Sequence, residues 1–292
     1  MNVSHLPPVL PAGQAIRTAA AMLRRAGIGD SAPLEARLLV AYALGVSRES
    51  LLGHPERALP SSAADRLAGL LRRRASREPL SHLLGVREFW SLPFQVTPAT
   101  LDPRPDSETL IRAALDRVAN REAPLRILDL GTGSGCLLLS LLSELPNATG
   151  LGVDLQEAAL AIARRNAEAL GYDDRARFLV SDWGRGIDAR FDLILSNPPY
   201  IPDADIDCLQ PEIARYESRI ALQGGADGLV RYREMAPHLR RLLCPEGAVF
   251  LEIGDGQAAA VVRILAEHGF EVRRLCKDLA GLPRCIVAQF QR

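Results

Sequence analysis

The chain has 292 residues, 48% of them hydrophobic and 24% charged, which is typical of a folded globular protein and excludes a mostly disordered one. No apolar run approaches the ~20 residues of a membrane span. The first 11 residues lack the pattern of a signal peptide. The five cysteines form no C-x-x-C pair, which favours reduced thiols in a cytoplasmic protein. The five histidines lack ligand spacing, so we expect no metal site.

Charge is balanced overall, with 35 basic and 35 acidic residues, but it is unevenly distributed. Residues 1–100 carry 12 arginines against 7 acidic residues, a balance of +5, and the remainder has a balance of −5. We interpret the basic residues of the first third as a solvated helix face. The alternative is that they bind an acidic partner surface.

The first part of the chain, residues 1–78, is predicted to be a small helical domain. One helix face would contain Ile16, Ala19, Ala20 and Leu23. A second helix would open at Pro33, and a third would be capped by Ser61-Ser62 and end in the arginine run 72–74.

Residues 79–103 are predicted to link this domain to residues 104–292 through a β-hairpin. Val86–Trp90 and Pro93–Thr97 are β-prone and separated by two residues, although the turn lacks the favoured Asn-Gly pair.

Beyond Leu125, apolar strands alternate with helices, which predicts an α/β fold with a parallel sheet covered on both faces. The predicted strands are 126–130, 149–154, 176–182, 191–197, 248–253, 271–276 and 285–290. Only eight residues separate the last two strands, too few for a helical crossover, so these strands should pair antiparallel.

A glycine-rich turn, Asp129-Leu130-Gly131-Thr132-Gly133-Ser134-Gly135, directly follows the first strand of this region and precedes a helix. Glycine lets the backbone turn sharply and approach a ligand closely. The third glycine of a G-x-G-x-x-G dinucleotide pattern is missing, because Cys136 stands there. We therefore expect residues 131–135 to bind a cofactor.

Acidic residues end the next two strands. Asp154 can accept hydrogen bonds from ribose hydroxyls, a role that does not distinguish between nucleoside cofactors. Asp182 can accept from an adenine amine, and Trp183 can pack against the ring. The strand ends should therefore form one crevice at the carboxyl edge of the sheet.

Asn197-Pro198-Pro199-Tyr200 ends the fourth strand at the same edge. The two prolines stop the strand and hold the backbone, so the Asn197 side chain and the Pro198 carbonyl become fixed acceptors. A planar nitrogen with two hydrogens can donate one to each acceptor, which aligns its lone pair for reaction. Tyr200 can offer its ring to the substrate plane or to a cation-like group.

These segments resemble those of class I, Rossmann-like methyltransferases acting on nitrogen, and within them the protein glutamine-N5 methyltransferases that modify peptide chain release factors. Supporting segments are 78–108, "SNPPYI", 221–233, 251–257 and 277–284. The resemblance implies S-adenosylmethionine as cofactor, bound by residues 131–135, Asp154, Trp183 and Asn197. It implies the glutamine of the release factors' Gly-Gly-Gln motif as substrate, gripped by Asn197–Tyr200 with Arg104 and Glu108 at the entrance.

Three alternatives stay open. An adenine-N6 DNA methyltransferase uses a similar motif, but the catalytic region's balance of −5 suits a polyanion poorly. A ribosomal-protein glutamine methyltransferase would perform the same chemistry on another protein. A catalytically silent binding module would not need the intact loop and motif. We expect a monomer that acts on release factors without binding nucleic acid or membrane.

Overall fold

A computed structural model describes residues 10–291. Within this range the chain forms two compact units. The first, here the helical unit, runs up to Gly85 and includes the later segment Pro211–Tyr216. The second, here the sheet unit, comprises Val86–Gln210 and Glu217–Arg292. The inclusion of residues 211–216 in the helical unit was not predicted from the sequence.

The elements are numbered along the chain. The helices are α1 (Ala12–Arg25), α2 (Ala32–Leu44), α3 (Arg48–Gly53), α4 (Ser61–Ala75), α5 (Leu80–Leu84), α6 (Glu108–Arg117), α7 (Cys136–Glu144), α8 (Glu157–Leu170), α9 (Pro211–Tyr216), α10 (Val230–Leu242) and α11 (Ala258–Glu267). The strands are β1 (Leu10–Pro11), β2 (Ala58–Leu59), β3 (Val86–Phe89), β4 (Leu92–Gln95), β5 (Arg126–Leu130), β6 (Thr149–Asp154), β7 (Ala176–Val180), β8 (Phe191–Ser196), β9 (Leu243–Glu252), β10 (Phe270–Lys277) and β11 (Pro283–Phe290).

The helical unit packs the apolar faces of α1, α2 and α4 together, with Leu23, Leu39 and Leu67 fully buried. The predicted face of α1 is confirmed for Ala19, Ala20 and Leu23. The predicted cap of α4 is wrong: Ser61 lies inside the helix, and no side chain caps its start. The short helices α3 and α5 were not predicted, because one or two turns carry little periodic signal.

The arginine run at the end of α4 forms ion pairs within the helical unit. Arg74 is 5% exposed, and its Nε atom lies 2.6 Å from Glu35 Oε2. Its Nη1 atom lies 3.0 Å from Glu212 Oε1, and Arg77 Nη2 lies 2.8 Å from Glu212 Oε2. Part of the basic charge of this region is therefore neutralised internally, which links α9 to α2 and α4.

The sheet unit contains a seven-stranded sheet with the order β10-β11-β9-β8-β5-β6-β7. The central strands pair parallel, whereas β11 is antiparallel to both β9 and β10. The predicted α/β class, the seven strands and the antiparallel ending are confirmed. Apolar clusters lie on both sides of the sheet, one around Phe250 and Leu138 and the other around Tyr232 and Leu128.

The predicted hairpin is confirmed as β3 and β4, but its turn lies one residue earlier than predicted, at Trp90 and Ser91 instead of Ser91 and Leu92, because Phe89 pairs with Leu92. Trp90 and Ser91 have positive φ, +51° and +59°, as the common two-residue hairpin turn requires even without Asn-Gly. Contacts of Trp90 offset the strain: its backbone N–H donates to Glu108 and its indole N–H donates to Glu144 at 2.8 Å.

Among residues 10–291, no helix combines the length and apolar character needed to span a membrane.

Candidate active site

The sheet unit contains a cavity at the carboxyl ends of its parallel strands. Its walls include residues 99–104 with Ser107, residues 131–134 of the glycine loop, and residues 154–156. Gly135, the last residue of the predicted cofactor loop, is not among the lining residues. Ser181, Trp183, Asn197 and Pro199 are also among the lining residues. This is the position at which open α/β sheets bind their ligands, so the crevice expected from the strand ends exists.

The glycine loop owes its shape to positive φ angles, +73° at Gly131, +54° at Gly133 and +81° at Gly135. Non-glycine residues rarely adopt such angles. The backbone N–H groups of Gly131 and Thr132 both donate to the Val153 carbonyl at 2.9 Å. These bonds fasten the loop to the end of β6 and leave the N-terminal end of α7 close to the cavity.

Asp154 holds the loop as well as facing the cavity. Its Oδ2 atom accepts from the Gly133 N–H at 3.0 Å, and its Oδ1 atom accepts from the Gln156 N–H at 2.9 Å. Each carboxylate oxygen has a second lone-pair site, so the group can still accept from ligand hydroxyls.

The two residues predicted to contact adenine are placed differently. Trp183 lines the cavity, is 9% exposed and donates its indole N–H to Glu234. Asp182 is not among the lining residues, and its carboxylate lies 3.4 Å from Arg185. The structure thus brings Trp183, but not the Asp182 carboxylate, to the cavity wall.

The Asn-Pro-Pro-Tyr motif begins where β8 ends. The preceding residue, Ser196, donates its hydroxyl to the Leu130 carbonyl at 2.7 Å, which joins the motif to the strand before the glycine loop. Asn197 and Pro199 line the cavity, whereas Pro198 and Tyr200 do not. Tyr200 packs against the apolar cluster that contains Tyr232, and its hydroxyl is 3.2 Å from Glu252 Oε1.

Two residues that sequence reasoning missed support this motif. Ser107 is 3% exposed, and its Oγ atom accepts from Asn197 Nδ2 at 3.1 Å. Glu252 is 1% exposed and ends β9, where Leu251 is paired with Ser196. The sequence could have indicated Glu252, because it lies at the end of a predicted strand and the carboxyl edge of the sheet is where functional groups collect.

Of the two residues predicted for the substrate entrance, only Arg104 lines the cavity. Its guanidinium forms an ion pair with Glu217, whose side chain is 2% exposed and which sequence reasoning missed. Glu108 is bound elsewhere: it accepts from the Trp90 backbone N–H and lies 2.8 Å from Arg112. The structure therefore gives Glu108 a role in the hairpin and α6 and not in the cavity wall.

Three buried carboxyl groups near the cavity are poorly solvated. Burial raises the pKa of Asp129 to about 7. The Thr132 hydroxyl, which donates to the Asp129 carboxyl at 2.6 Å, opposes this shift. Burial likewise raises the pKa of Glu217 to about 7, with Arg104 opposing the shift and Asp102 adding to it. Burial raises the pKa of Glu252 to about 7, opposed by the Ser107 hydroxyl, Arg284 and the Tyr200 hydroxyl.

Raised carboxyl pKa values have a defined effect on stability. Between the unfolded value near 4.5 and about 7, the folded protein keeps a proton on Glu217 that the unfolded chain has released. The stabilising contribution of the protonated Glu217 to the folded protein is therefore fully present below pH 4.5 and is lost as pH rises through 7.

Replacing Glu217 by Gln removes this titration. As pH rises from 5.5 to 8, the unfolding free energy of Glu217→Gln is expected to increase by on the order of 1 kcal/mol relative to that of wild type. Urea unfolding followed by tryptophan fluorescence measures this difference, because Trp90 and Trp183 lie in the same unit as Glu217. Glu271→Gln, an exposed partner of Arg273, is the control. Parallel pH curves for wild type and Glu217→Gln would contradict the assignment.

Comparison with known proteins identifies the family. Residues 14–85 match the model of the PrmC N-terminal domain, and residues 107–233 match that of the methyltransferase small domain. A release factor glutamine methyltransferase of Rhodospirillum rubrum is 44% identical over 95% of this chain and 84% of that protein. One of Bradyrhizobium diazoefficiens is 43% identical over 94% of this chain and 93% of that protein.

Among solved structures, a protein-(glutamine-N5) methyltransferase (release factor-specific) from Alicyclobacillus acidocaldarius is 32% identical. The match covers 68% of this chain and 100% of that protein's chain, with a TM-score of 0.41. On the sequence identities over nearly its whole length, this chain belongs to the release factor glutamine methyltransferase family.

Proposed function

We propose that this protein transfers a methyl group from S-adenosylmethionine to the side-chain amide nitrogen of a glutamine in peptide chain release factors, the one in their Gly-Gly-Gln motif. The observation that carries the proposal is the placement of Asn197 in the wall of the same cavity as the glycine loop and Asp154. A cofactor on the loop and a substrate on the motif would share this cavity.

The residues around the loop fit a nucleoside cofactor. The three loop residues with positive φ are glycines, which carry no side chain and so let a ligand approach the backbone closely. Asp154 has acceptor capacity for two ribose hydroxyls. Trp183 offers an apolar wall next to Gly131. When bound, S-adenosylmethionine supplies an electrophilic methyl group on a positively charged sulfur.

The substrate amide requires orientation, because its nitrogen lone pair is delocalised and weakly nucleophilic. Asn197 donates its own N–H to Ser107, so its Oδ1 atom is the end left for the substrate. The Pro198 carbonyl accepts no hydrogen bond from the described residues. Pro198 is buried and does not line the cavity, so its assignment as the second acceptor rests on the motif and not on the cavity wall. Holding both hydrogens of the amide is worth several kcal/mol through positioning, within a ceiling of roughly 7–11 kcal/mol.

Arg104 lines the same cavity and forms an ion pair with the buried Glu217. A fixed guanidinium there can donate to backbone carbonyls of the peptide that carries the glutamine. We assign Arg104 to substrate binding, and Glu217 keeps its guanidinium in place.

The proposal is tested by incubating the purified protein with S-adenosylmethionine and a purified release factor. Intact-mass and peptide mass spectrometry are expected to show one added methyl group on the Gly-Gly-Gln glutamine. A release factor in which that glutamine is replaced by Glu is the control and should gain no mass. Transfer to a ribosomal protein or to DNA, with none to the release factor, would reassign the substrate.

We further propose that the protein acts as a monomer, in the cytoplasm, without binding nucleic acid directly. All five cysteines are free thiols, which supports a reducing compartment. Size-exclusion chromatography with light scattering tests the oligomeric state.

A further inference from the structure

Two segments that support the family resemblance, residues 221–233 and 251–257, meet at the backbone of Tyr200, the last residue of the Asn-Pro-Pro-Tyr motif. The meeting point is the side-chain amide of Gln257. Its Nε2 atom donates to the Tyr200 carbonyl at 2.9 Å and to the Gly228 carbonyl at 3.2 Å. One amide therefore joins the end of the motif to both segments.

The orientation of the Gln257 amide is fixed by its other end. Its Oε1 atom accepts from the Gly254 backbone N–H at 3.0 Å. Because an amide oxygen only accepts and an amide nitrogen donates two hydrogens, the NH2 group must face the two carbonyls. A carboxylate or an apolar side chain of the same length cannot make this set of bonds.

Glycine is required where residues 221–233 approach the motif. A Cβ atom on Gly224 would lie 2.8 Å from the carbonyl carbon of Tyr200 and 2.9 Å from its Cα atom. A Cβ atom on Gly228 would overlap the Tyr200 carbonyl oxygen, and Gly228 also has a φ of +73°. A larger residue at either position would have to displace the motif backbone.

The prolines of the motif make support from outside necessary. Neither proline has a backbone N–H, so the centre of the motif cannot donate hydrogen bonds that would hold it in place. At the start of the motif, Ser196 donates its hydroxyl to the Leu130 carbonyl. At its end, the bond from Gln257 to the Tyr200 carbonyl is the corresponding anchor.

The segment that Gln257 fastens to the motif also contributes to the cavity. Ala221 and Arg231 are among the lining residues. Between them, the Ile201 N–H donates to the Leu222 carbonyl at 3.1 Å, and the Gly224 N–H donates to the Ile201 carbonyl at 2.8 Å. The exit of the motif and this part of the cavity wall are therefore held together.

We propose that Gln257 is a positioning residue for methyl transfer, which fixes the Tyr200 end of the motif and thereby the place of Asn197 in the cavity wall. This inference rests on the proposed function. Gln257 is not among the residues that line the cavity, so it acts through the motif and not on the substrate or the cofactor. A displacement of about 1 Å at a reacting group can lower a rate about 100-fold, so small movements of the motif are sufficient.

The experiment compares Gln257→Met and Gln257→Glu with wild type. Both variants keep the length of the side chain and remove its two donated bonds, so kcat is expected to fall about 10- to 100-fold. Gln257→Glu keeps an acceptor for the Gly254 N–H but turns an oxygen toward the two carbonyls, so its kcat should be no higher than that of Gln257→Met. The KM for the release factor and the affinity for S-adenosylmethionine should change little.

Gln289→Met is the matched control, because Gln289 Nε2 also donates to a backbone carbonyl, that of Gly247, in the same unit. It should keep the kcat of wild type. A wild-type kcat in Gln257→Met or Gln257→Glu would overturn the proposal. So would a loss of cofactor affinity as large as the loss of kcat, because it would show a general effect on the fold.

A second pair of variants tests the close approach of the two backbones. Gly228→Ala places a methyl group against the Tyr200 carbonyl and should lower kcat as far as Gln257→Met does. Gly171→Ala is its control: Gly171 has a φ of +74°, but an added Cβ atom there would meet no other described residue within 4 Å. A wild-type kcat in Gly228→Ala would contradict the proposal.

Amide hydrogen exchange gives a measurement that needs no substrate. The N–H groups of Ile201 and Gly224 should exchange faster in Gln257→Met than in wild type, because their bonds lie between the motif and residues 221–233. Exchange in β5 should be equal in the two proteins. Unchanged exchange at Ile201 and Gly224 would contradict the role of Gln257. A wild-type protein that leaves release factors unmodified would instead contradict the proposed function, so the two failures are distinguishable.

Discussion

Asn197→Ala is expected to lower kcat for methyl transfer on the order of 10³-fold, at the upper end of what one preorganised polar group contributes. The side chain lines the cavity and is the acceptor that we assign to the substrate amide. Removing it also leaves the Ser107 hydroxyl without its donor, because Asn197 Nδ2 supplies that bond. The nucleophile itself is untouched, so the loss measures orientation alone.

Single-turnover rates with a saturating release factor measure this effect, and calorimetry measures cofactor affinity in parallel. Affinity for S-adenosylmethionine should change little, since the glycine loop and Asp154 are unaltered. Asn197→Gln is the matched comparison: it retains an amide but displaces it by one methylene, and it should remain severely impaired. A rate for Asn197→Ala near that of wild type would remove the motif from the mechanism.

Asp154→Ala is expected to weaken cofactor binding about 100-fold. The carboxylate supports the Gly133 and Gln156 backbone N–H groups and has further capacity for ligand hydroxyls. Its loss leaves two backbone donors without this partner and removes the ribose acceptor. Charge-assisted bonds of this kind contribute about 1.5–3 kcal/mol each, which corresponds to roughly this change in Kd.

Isothermal calorimetry with S-adenosylmethionine measures the affinity, and kcat at saturating cofactor shows whether the chemistry survives. Asp182→Ala is the informative comparison. Sequence reasoning assigned Asp182 to the adenine amine, whereas in the structure its carboxylate faces Arg185. If Asp182→Ala binds the cofactor as weakly as Asp154→Ala, the sequence-based role of Asp182 is supported. If its affinity stays near wild type, the structural placement is supported.

Locally encoded features of the sheet unit were predictable. β5 and β6 have the predicted bounds, because each has an apolar pattern ended by glycine or aspartate. The antiparallel end of the sheet followed from the short connection between β10 and β11. The hairpin was predicted despite unusual turn residues, but the positive φ angles of Trp90 and Ser91 depend on distant contacts with Glu108 and Glu144.

The site residues also differ in how far their roles could be predicted from the sequence. The glycine loop, Asp154 and Asn197 follow strand ends, and parallel strands carry such residues to one edge regardless of other details. Glu108 and Tyr200 lie within a few residues of cavity-lining residues along the chain, but their side chains bind elsewhere. Glu108 binds Trp90 and Arg112, and Tyr200 binds Glu252. Proximity in the chain does not determine which way a side chain points.

The sequence by itself determined the α/β fold, the cofactor loop and the motif that aligns a planar nitrogen, because these depend on periodicity and on residues adjacent along the chain. Only the tertiary structure decided how the motif is supported. Ser107 and Asn197 are 90 residues apart, Tyr200 and Glu252 are 52 apart, and Arg104 and Glu217 are 113 apart. Such pairs depend on strand order and on burial, which bring together polar groups that lie far apart along the chain. Local pattern contains neither kind of information.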